Sequence, residues 1–363
     1  MFKAAKTVDF LFLTYYTDGS KQRKRLSSLI RLYVPLYLSR RSVSFSALQT
    51  ERPINFLCRR RAAEWMIVME KFDSLIIGEV AQDTNVDFDG TVVQAVGGAV
   101  YYSGCAAANM GHKIAVLPKA DLSQLDVTAA FHEKAPSISV FPLNSPHSFV
   151  TKNVYHTADR ERRTSTVDSL IAPYTTDEVP VDQIDAAIWH LAGLAGGDIP
   201  NEMIPFAAKY AMVAIDVQTM LRWVENGGMV YHDWKEKKEL LPYIRFLKTD
   251  AAEAEILTGL TDRAEAAKVL YGWGAKEILI THNTEVLVYD GHEIYTCPIK
   301  ARNLSGRTGR GDTTFAGYIN ERLTKDIPTA LQTATALVSL KMETPGPFTG
   351  TRQDVEDYIK LMY

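Results

Sequence analysis

Ser305-Gly306-Arg307-Thr308-Gly309-Arg310-Gly311-Asp312-Thr313-Thr314-Phe315-Ala316-Gly317-Tyr318 reads as a glycine-rich turn running into a helix. Phe315, Ile319 and Leu323 fall one turn apart, which marks a single buried face. Asp312 stands at the junction, where an N-cap residue is preferred. Gly309 and Gly311 let the backbone come close to a ligand. The first amides of a helix lack internal partners and sit at the positive end of its dipole. Turn and helix together make an anion site. A carboxylate beside such a site suits phosphoryl transfer. The amides would hold the developing negative charge while the carboxylate takes the proton of an attacking hydroxyl. The plain alternative is a glycine turn capped by an aspartate.

Working outward, the 363 residues are 46% hydrophobic, enough for a large core in one big domain or two smaller ones. A net charge of −3 argues against nucleic acid as a general partner. Cys58, Cys105 and Cys297 are widely spaced, with no metal spacing and no disulfide framework, so a reducing, cytoplasmic compartment is expected. Nowhere do about 18 apolar residues run together, so no transmembrane helix and no membrane partner are expected.

Charge is unevenly spread. Residues 1–68 hold 13 Lys and Arg against 4 Asp and Glu, whereas the remainder is acidic. The basic stretch is rich in Ser and can read as an organelle transit peptide. It reads more simply as sequence upstream of the natural start, with Met66 or Met69 as the true beginning, because a strand opens directly after Met69. Residues 1–68 are accordingly expected to be a poorly ordered or non-native extension, and residues 69–363 the folded domain.

Within that domain, Phe72 to Val80 reads as a buried strand ending near Asp83. A carboxylate at the end of an early strand is where open α/β sheets place ligand contacts. Residues 86–96 alternate apolar and polar, as in a half-exposed strand pair. Gly97-Gly98 precedes small residues that let a helix pack closely on a sheet, with Tyr101 and Tyr102 at its start. Residues 137–168 are strand-rich and carry Arg160-Glu161-Arg162-Arg163, a solvated loop or a guanidinium source for a polyol or phosphate. His190 lies in the apolar run Ile184 to Leu194 and reads as a satisfied core histidine. Asp250 and Glu253 have the spacing of a capping box. Strand and helix alternate through the second half of the chain, which predicts a parallel sheet with right-handed crossovers.

In this setting the opening stretch resembles the D-T-x-G-A-G-D motif of the ribokinase/PfkB carbohydrate kinases. Arg310 stands in place of the motif's alanine, and the leading Asp-Thr is absent. The resemblance spans about residues 70 to 363. It implies a ribokinase-like three-layer α/β sandwich with a central, mostly parallel sheet and a small β-lid, formed by segments within about 83–97 and 137–168. It implies Asp312 as the catalytic base and Gly309, Arg310 and Gly311 as the anion hole. Gly78 followed by Asp83 matches the family's sugar-gripping Asp. Gly97 and Gly98 match its double glycine, and the following aromatic pair looks more like the inositol-kinase and uncharacterised sugar-kinase branches than the ribokinases. Asp83, Gly97, Gly98, Tyr102 and Arg162 are thus expected at the acceptor.

Lys248-Thr249-Asp250 with Glu253 is similar to the family's K-x-N-x-x-E. Lys248, Asp250 and Thr281 are then nucleotide-side residues, and Glu253 organises magnesium through water. Asn283 and Val286 replace two glycines of the family's nucleotide turn.

The implied activity is transfer of the γ-phosphoryl of ATP, with Mg²⁺, to a hydroxyl of a sugar, polyol or nucleoside, in a protein that could form a homodimer through its lid. A second reading is a binding or regulatory protein that keeps the fold without turnover. It is motivated by Arg310 and the lost glycines and opposed by the retained Asp312. An NAD-type α/β enzyme ranks last, because no glycine fingerprint follows the first strand.

Overall fold

A computed structural model of the protein describes residues 69–157 and 163–363. The expectation for residues 1–68 and the one for Arg162 fall outside the described residues. The first half of the domain runs β1 Glu70–Glu79, β2 Ala81–Val86, β3 Val92–Gly97, α1 Ala99–Asn109, β4 Ile114–Ala120, α2 Val127–Lys134, β5 Ser139–Val140, β6 Leu143–Asn144, β7 Phe149–Tyr155 and β8 Arg163–Ser169. The middle runs β9 Ile184–Leu191, α3 Met203–Ala207, β10 Met212–Asp216, α4 Gln218–Leu221, β11 Arg222–Glu225, β12 Gly228–Tyr231 and α5 Lys237–Leu240. The last part runs β13 Ile244–Asp250, α6 Ala251–Thr258, α7 Arg263–Gly272, β14 Glu277–Thr281, β15 Glu285–Tyr289, β16 Ile294–Pro298, α8 Arg310–Glu321, α9 Ile327–Lys341 and α10 Arg352–Met362.

Two sheets result. The large one has the order β16-β15-β14-β13-β10-β9-β1-β4-β5, with β6 also on β4. From β14 to β5 the neighbours are parallel; β15 pairs antiparallel with both β14 and β16, so only β15 runs the other way. Strands buried on both faces must be apolar at successive positions rather than at alternate ones. Leu75, Ile76 and Ile77 of β1 meet that demand, as do Ile278, Leu279 and Ile280 of β14, and all six are essentially inaccessible. Leu75, Ile77, Leu247 and Ile280 face one helical layer, where Leu257 and Leu270 lie. Ile188, Ala214, Phe246 and Leu279 face the opposite layer, against Phe315, Tyr318 and Ile319 of α8. The core is therefore a three-layer sandwich, as expected.

The smaller sheet has the order β11-β12-β8-β7-β2-β3, with β2 and β7 parallel and the other pairs antiparallel. It differs from the sequence expectation at two places. Ser139–Val140 and Leu143–Asn144 pair with β4 at the edge of the large sheet and so leave the small one. The hairpin β11–β12, absent from the expected lid segments, joins the small sheet through the Gly228 and Thr166 pair. The hairpin turns at Asn226 and Gly227, both with positive φ, and this short turn signal is what the sequence reading passed over. Among the described residues no helix is long and apolar enough to cross a membrane.

Candidate active site

The carboxyl ends of the parallel strands decide where side chains can converge. β10 ends in Asp216, β13 in Lys248, Thr249 and Asp250, and β14 in Thr281, with Asp216 in register with Lys248 and Asp250 with Thr281. α8 starts over this row. Its N-cap is Gly309, at φ 75 and ψ 15, not Asp312. The correction has a steric cause. A Cβ on Gly309 would lie 2.1 Å from the Tyr102 ring, and the left-handed turn reverses the chain three residues before the aspartate. Asp312 therefore sits in the first helical turn. Thr313 donates to the Gly309 carbonyl, while no backbone carbonyl receives Gly311 N–H or Asp312 N–H among the described residues. Those amides are the free end of the helix.

Positive charge crowds the same point. The Lys248 ammonium is buried under α8 and would lie 3.1 Å from a Cβ on Gly311. It pairs with Asp216 Oδ2 at 2.8 Å and lies 3.8 Å from Glu253 Oε2. Burial works against its charge, but Asp216 and Glu253 outweigh burial and push the ammonium up. Arg222 reaches in from β11, 3.7 Å from Glu253 Oε1, with its Nε buried and unpartnered. Burial raises the Asp312 carboxyl, and Lys248, Arg222 and Lys341 oppose that rise. The carboxylate makes no hydrogen bond among the described residues, so it is available to a ligand proton.

Other expected residues separate into two groups. Of the residues expected at the acceptor, Asp83 lies inside β2 of the small sheet, not at the end of β1, which stops at Glu79. The chain crosses between sheets at Val80, so the strand Asp83 occupies is a new one. Asp83 Oδ1 accepts from Thr151 Oγ1 at 2.5 Å, and a Cβ on Gly97 would lie 2.3 Å from its Oδ2. Gly98, at φ 108, is the N-cap of α1. Tyr102 is buried, and its hydroxyl is pushed up first by burial and then by Asp83 and Asp312. Both carboxylates are thus within electrostatic reach of the Tyr102 hydroxyl.

Of the residues expected on the nucleotide and magnesium side, Asp250 and Glu253 form the capping box: Asp250 Oδ1 accepts from Glu253 N–H and Glu253 Oε2 from Asp250 N–H, both at 2.8 Å. Glu253 Oε1 is buried with no hydrogen-bond partner. Thr281 is buried at the end of β14, opposite Val286. The Arg310 guanidinium turns away from the amides; its Nη1 donates to Asn283 Oδ1 at 2.9 Å.

Three features escaped the sequence reading. Arg222 belongs to no local motif, and only its place on a hairpin strand brings it to Glu253. Lys341 is buried on α9 beneath the turn, and its ammonium donates to Gly306 O at 2.6 Å and to Thr308 O. Its signal was available, because Ala330, Ala334, Leu337 and Lys341 share the buried face at helical spacing. His190 is buried as expected, but neither ring nitrogen has a hydrogen-bond partner, so it is not satisfied. It packs edge-on against Phe315, and burial with Lys248 nearby holds it down to about 3, hence neutral.

Comparison with known proteins accords with this geometry. The model of the pfkB family of carbohydrate kinases matches residues 150–353. A pyrophosphate-dependent kinase in the ribokinase family, solved as a sulfate complex, is 33% identical with a TM-score of 0.71, covering 78% of this chain and 99% of that one. A pyrophosphate-dependent kinase of the same family, solved with a pyrophosphate analogue and myo-inositol, is 32% identical with a TM-score of 0.70 and the same coverage. A cytidine kinase of Thermococcus kodakarensis is 25% identical over 270 residues, 68% of this chain and 87% of that protein. Fold, site geometry and these matches lead to one conclusion: the chain belongs to the PfkB family of carbohydrate kinases and is a kinase acting on a sugar, polyol or nucleoside.

Proposed function

We propose that this kinase takes its phosphoryl group from inorganic pyrophosphate and passes it to a hydroxyl of a cyclic polyol of the inositol type. The observation that carries the donor is the hydrogen bond from Arg310 to Asn283. In the family the turn at residues 281–286 lies beside the nucleotide. Here its glycines are replaced and a guanidinium spans it. The guanidinium thus lies at the turn where the family places its nucleoside, while the phosphate end keeps free amides and the cations Lys248 and Arg222. A small, highly charged donor fits that distribution better than ATP does. The relatives of about one-third identity that depend on pyrophosphate support the reading, and one of them holds myo-inositol.

In the reaction, the acceptor O–H attacks the terminal phosphorus in line. A new P–O bond forms to the acceptor and the bridging P–O bond breaks, releasing orthophosphate. Asp312 takes the hydroxyl proton. The free amides of Gly311 and Asp312, with Lys248 and Arg222, hold the charge on the transferring group. Glu253 Oε1, which accepts no hydrogen bond, with Asp250 beside it, suits a magnesium ion held through water. Bound magnesium would neutralise the donor's phosphate charge. Asp83, Gly97, Gly98 and Tyr102 form the acceptor wall. A homodimer through the small sheet belongs to the same reading, since its edge strand β3 leaves Val92 and Val93 more than half exposed. So does a cytoplasmic setting, since Cys105 and Cys297 are buried and free.

The test is phosphorus NMR of the purified protein with Mg²⁺ and either pyrophosphate or ATP, against myo-inositol, ribose and cytidine. Turnover with pyrophosphate and myo-inositol is expected. A kcat/KM for ATP equal to or above that for pyrophosphate overturns the donor assignment. Turnover with cytidine alone overturns the acceptor and favours a nucleoside kinase.

A further inference from the structure

The turn that precedes α8 is tied to the end of α9. Gly306 N–H donates to Met342 O at 2.7 Å and Ser305 Oγ to Glu343 O at 2.7 Å. A Cβ on Gly306 would overlap the Thr344 carbonyl at 1.8 Å. These contacts hold the turn in place and fix the Ser305–Gly306 peptide plane, but not the Gly306–Arg307 and Thr308–Gly309 planes that follow. Those two are set from below. The Lys341 ammonium is almost completely buried and donates to the carbonyls of Gly306 and Thr308. Its third hydrogen has no carbonyl to meet, and the ammonium stands 5.2 Å from the centre of the Tyr102 ring. Asp312 lies within its electrostatic reach.

No cis peptide bond occurs among the described residues, so each N–H points opposite to the carbonyl of its own plane. Gripping the Thr308 carbonyl therefore turns Gly309 N–H away from Lys341. Gly309 then takes its left-handed φ against Tyr102, and the free amides of Gly311 and Asp312 follow. A buried lysine must lose its hydration, which is costly unless its donors are met. Here two of the three are met by backbone carbonyls, both in the segment that leads into the anion site, and the Tyr102 ring stands beside the ammonium. The lysine also sits in the last turn of α9, where a cation is favoured.

We propose that Lys341 is a positioning residue for phosphoryl transfer: its ammonium is an internal cation that draws the Gly306 and Thr308 carbonyls inward and so presents the following amides to the phosphoryl group. The proposal rests on reading residues 309–312 as the phosphoryl-binding turn, and not on the identity of the donor.

Lys341→Met removes the cation and keeps most of the side-chain volume. Its kcat is expected to fall on the order of 10²-fold through misplaced amides, with the acceptor KM little changed. Ammonium or methylammonium chloride should restore part of kcat, and choline chloride at equal ionic strength should not. A folded Lys341→Met protein with normal kcat, or with a loss that neither small cation relieves, overturns the proposal. Should that variant not fold, Lys341→Gln is judged by the same two readouts.

Should neither fold, the wild-type pH profile decides. The groups facing the ammonium are Asp312 on α8, Tyr102 on α1 and the two carbonyls, and burial lowers it to about 8. A kcat that declines as pH rises through that value supports the clamp, and a flat profile overturns it. Asp312→Asn is measured alongside. If that variant keeps normal turnover, the reading of the turn itself fails, whatever Lys341 shows.

Discussion

At Asp312 two demands conflict. Burial favours its neutral form, whereas a general base must be charged. Lys248, Arg222 and Lys341 restore part of the charged form, which accounts for so many cations around one carboxylate. The folded carboxyl titrates above its ordinary 3.8, so the folded protein binds a proton more readily than the unfolded chain does. Asp312 thus contributes its stability below 3.8, and that contribution is lost as pH rises through the raised folded value. Activity runs the other way and appears only as the carboxyl ionises. Asp312→Asn should cost on the order of 10² to 10⁴ in kcat. Because Asp312 is not the N-cap, its melting temperature should hold or rise slightly. Steady-state turnover beside a melting curve checks both, and a folded variant with near-normal turnover would remove Asp312 from the mechanism.

At the scale of elements, the start of α8 is the feature on which the site depends. A helix begun by Asp312 would place its free amides three residues later, past Lys248. Gly309 begins it earlier because only glycine can hold φ 75 with the Tyr102 ring at its back. Gly309→Ala adds left-handed strain of about 1 kcal/mol or more, and a collision with Tyr102 on top of it. The expected result is a lower melting temperature together with a fall in kcat larger than the change in acceptor KM. Thermal unfolding and kinetics on one preparation measure both. A variant that loses stability but keeps its kcat would show that the amides tolerate displacement. The Asp250 and Glu253 capping box makes a related point. Its spacing was readable as a cap, and the cap is present, yet the same Glu253 leaves one oxygen facing Arg222. A residue can serve helix and site together because a carboxylate has two oxygens.

At the scale of the whole molecule, the site lies between two sheets. Asp83 arrives on the small sheet and Asp312 on a helix of the large one, with the Tyr102 hydroxyl within electrostatic reach of both. The proposed acceptor and donor contacts thereby fall on different sheets of the fold. Asp83→Ala should raise the acceptor KM strongly while the donor KM stays nearly constant. Initial rates with each substrate varied in turn decide this, and a parallel rise in donor KM would move Asp83 out of the acceptor wall. The edges of the large sheet follow ordinary rules, since its antiparallel end at β15 and β16 closes a parallel array by a hairpin.

The parallel sheet, the two helical layers and the glycine turn before α8 were determined by the sequence alone. They depend on local patterns: unbroken apolar runs such as Leu75-Ile76-Ile77 and Ile278-Leu279-Ile280, one-turn spacing in Phe315 and Ile319, and glycines at a strand-to-helix junction. Asp312, Glu253 and the paired glycines at 97 and 98 were legible for the same reason, because a short stretch of chain carries each. Only the tertiary structure decided the rest. Arg222 lies over thirty positions from Glu253, and Lys341 over thirty from the carbonyls it holds, so no local pattern joins them. The direction of Arg310 toward Asn283 and the place of Asp83 on the second sheet belong to the same class. Such contacts are set by how elements pack, since a charged group aligns with whichever partner the folded backbone brings within reach.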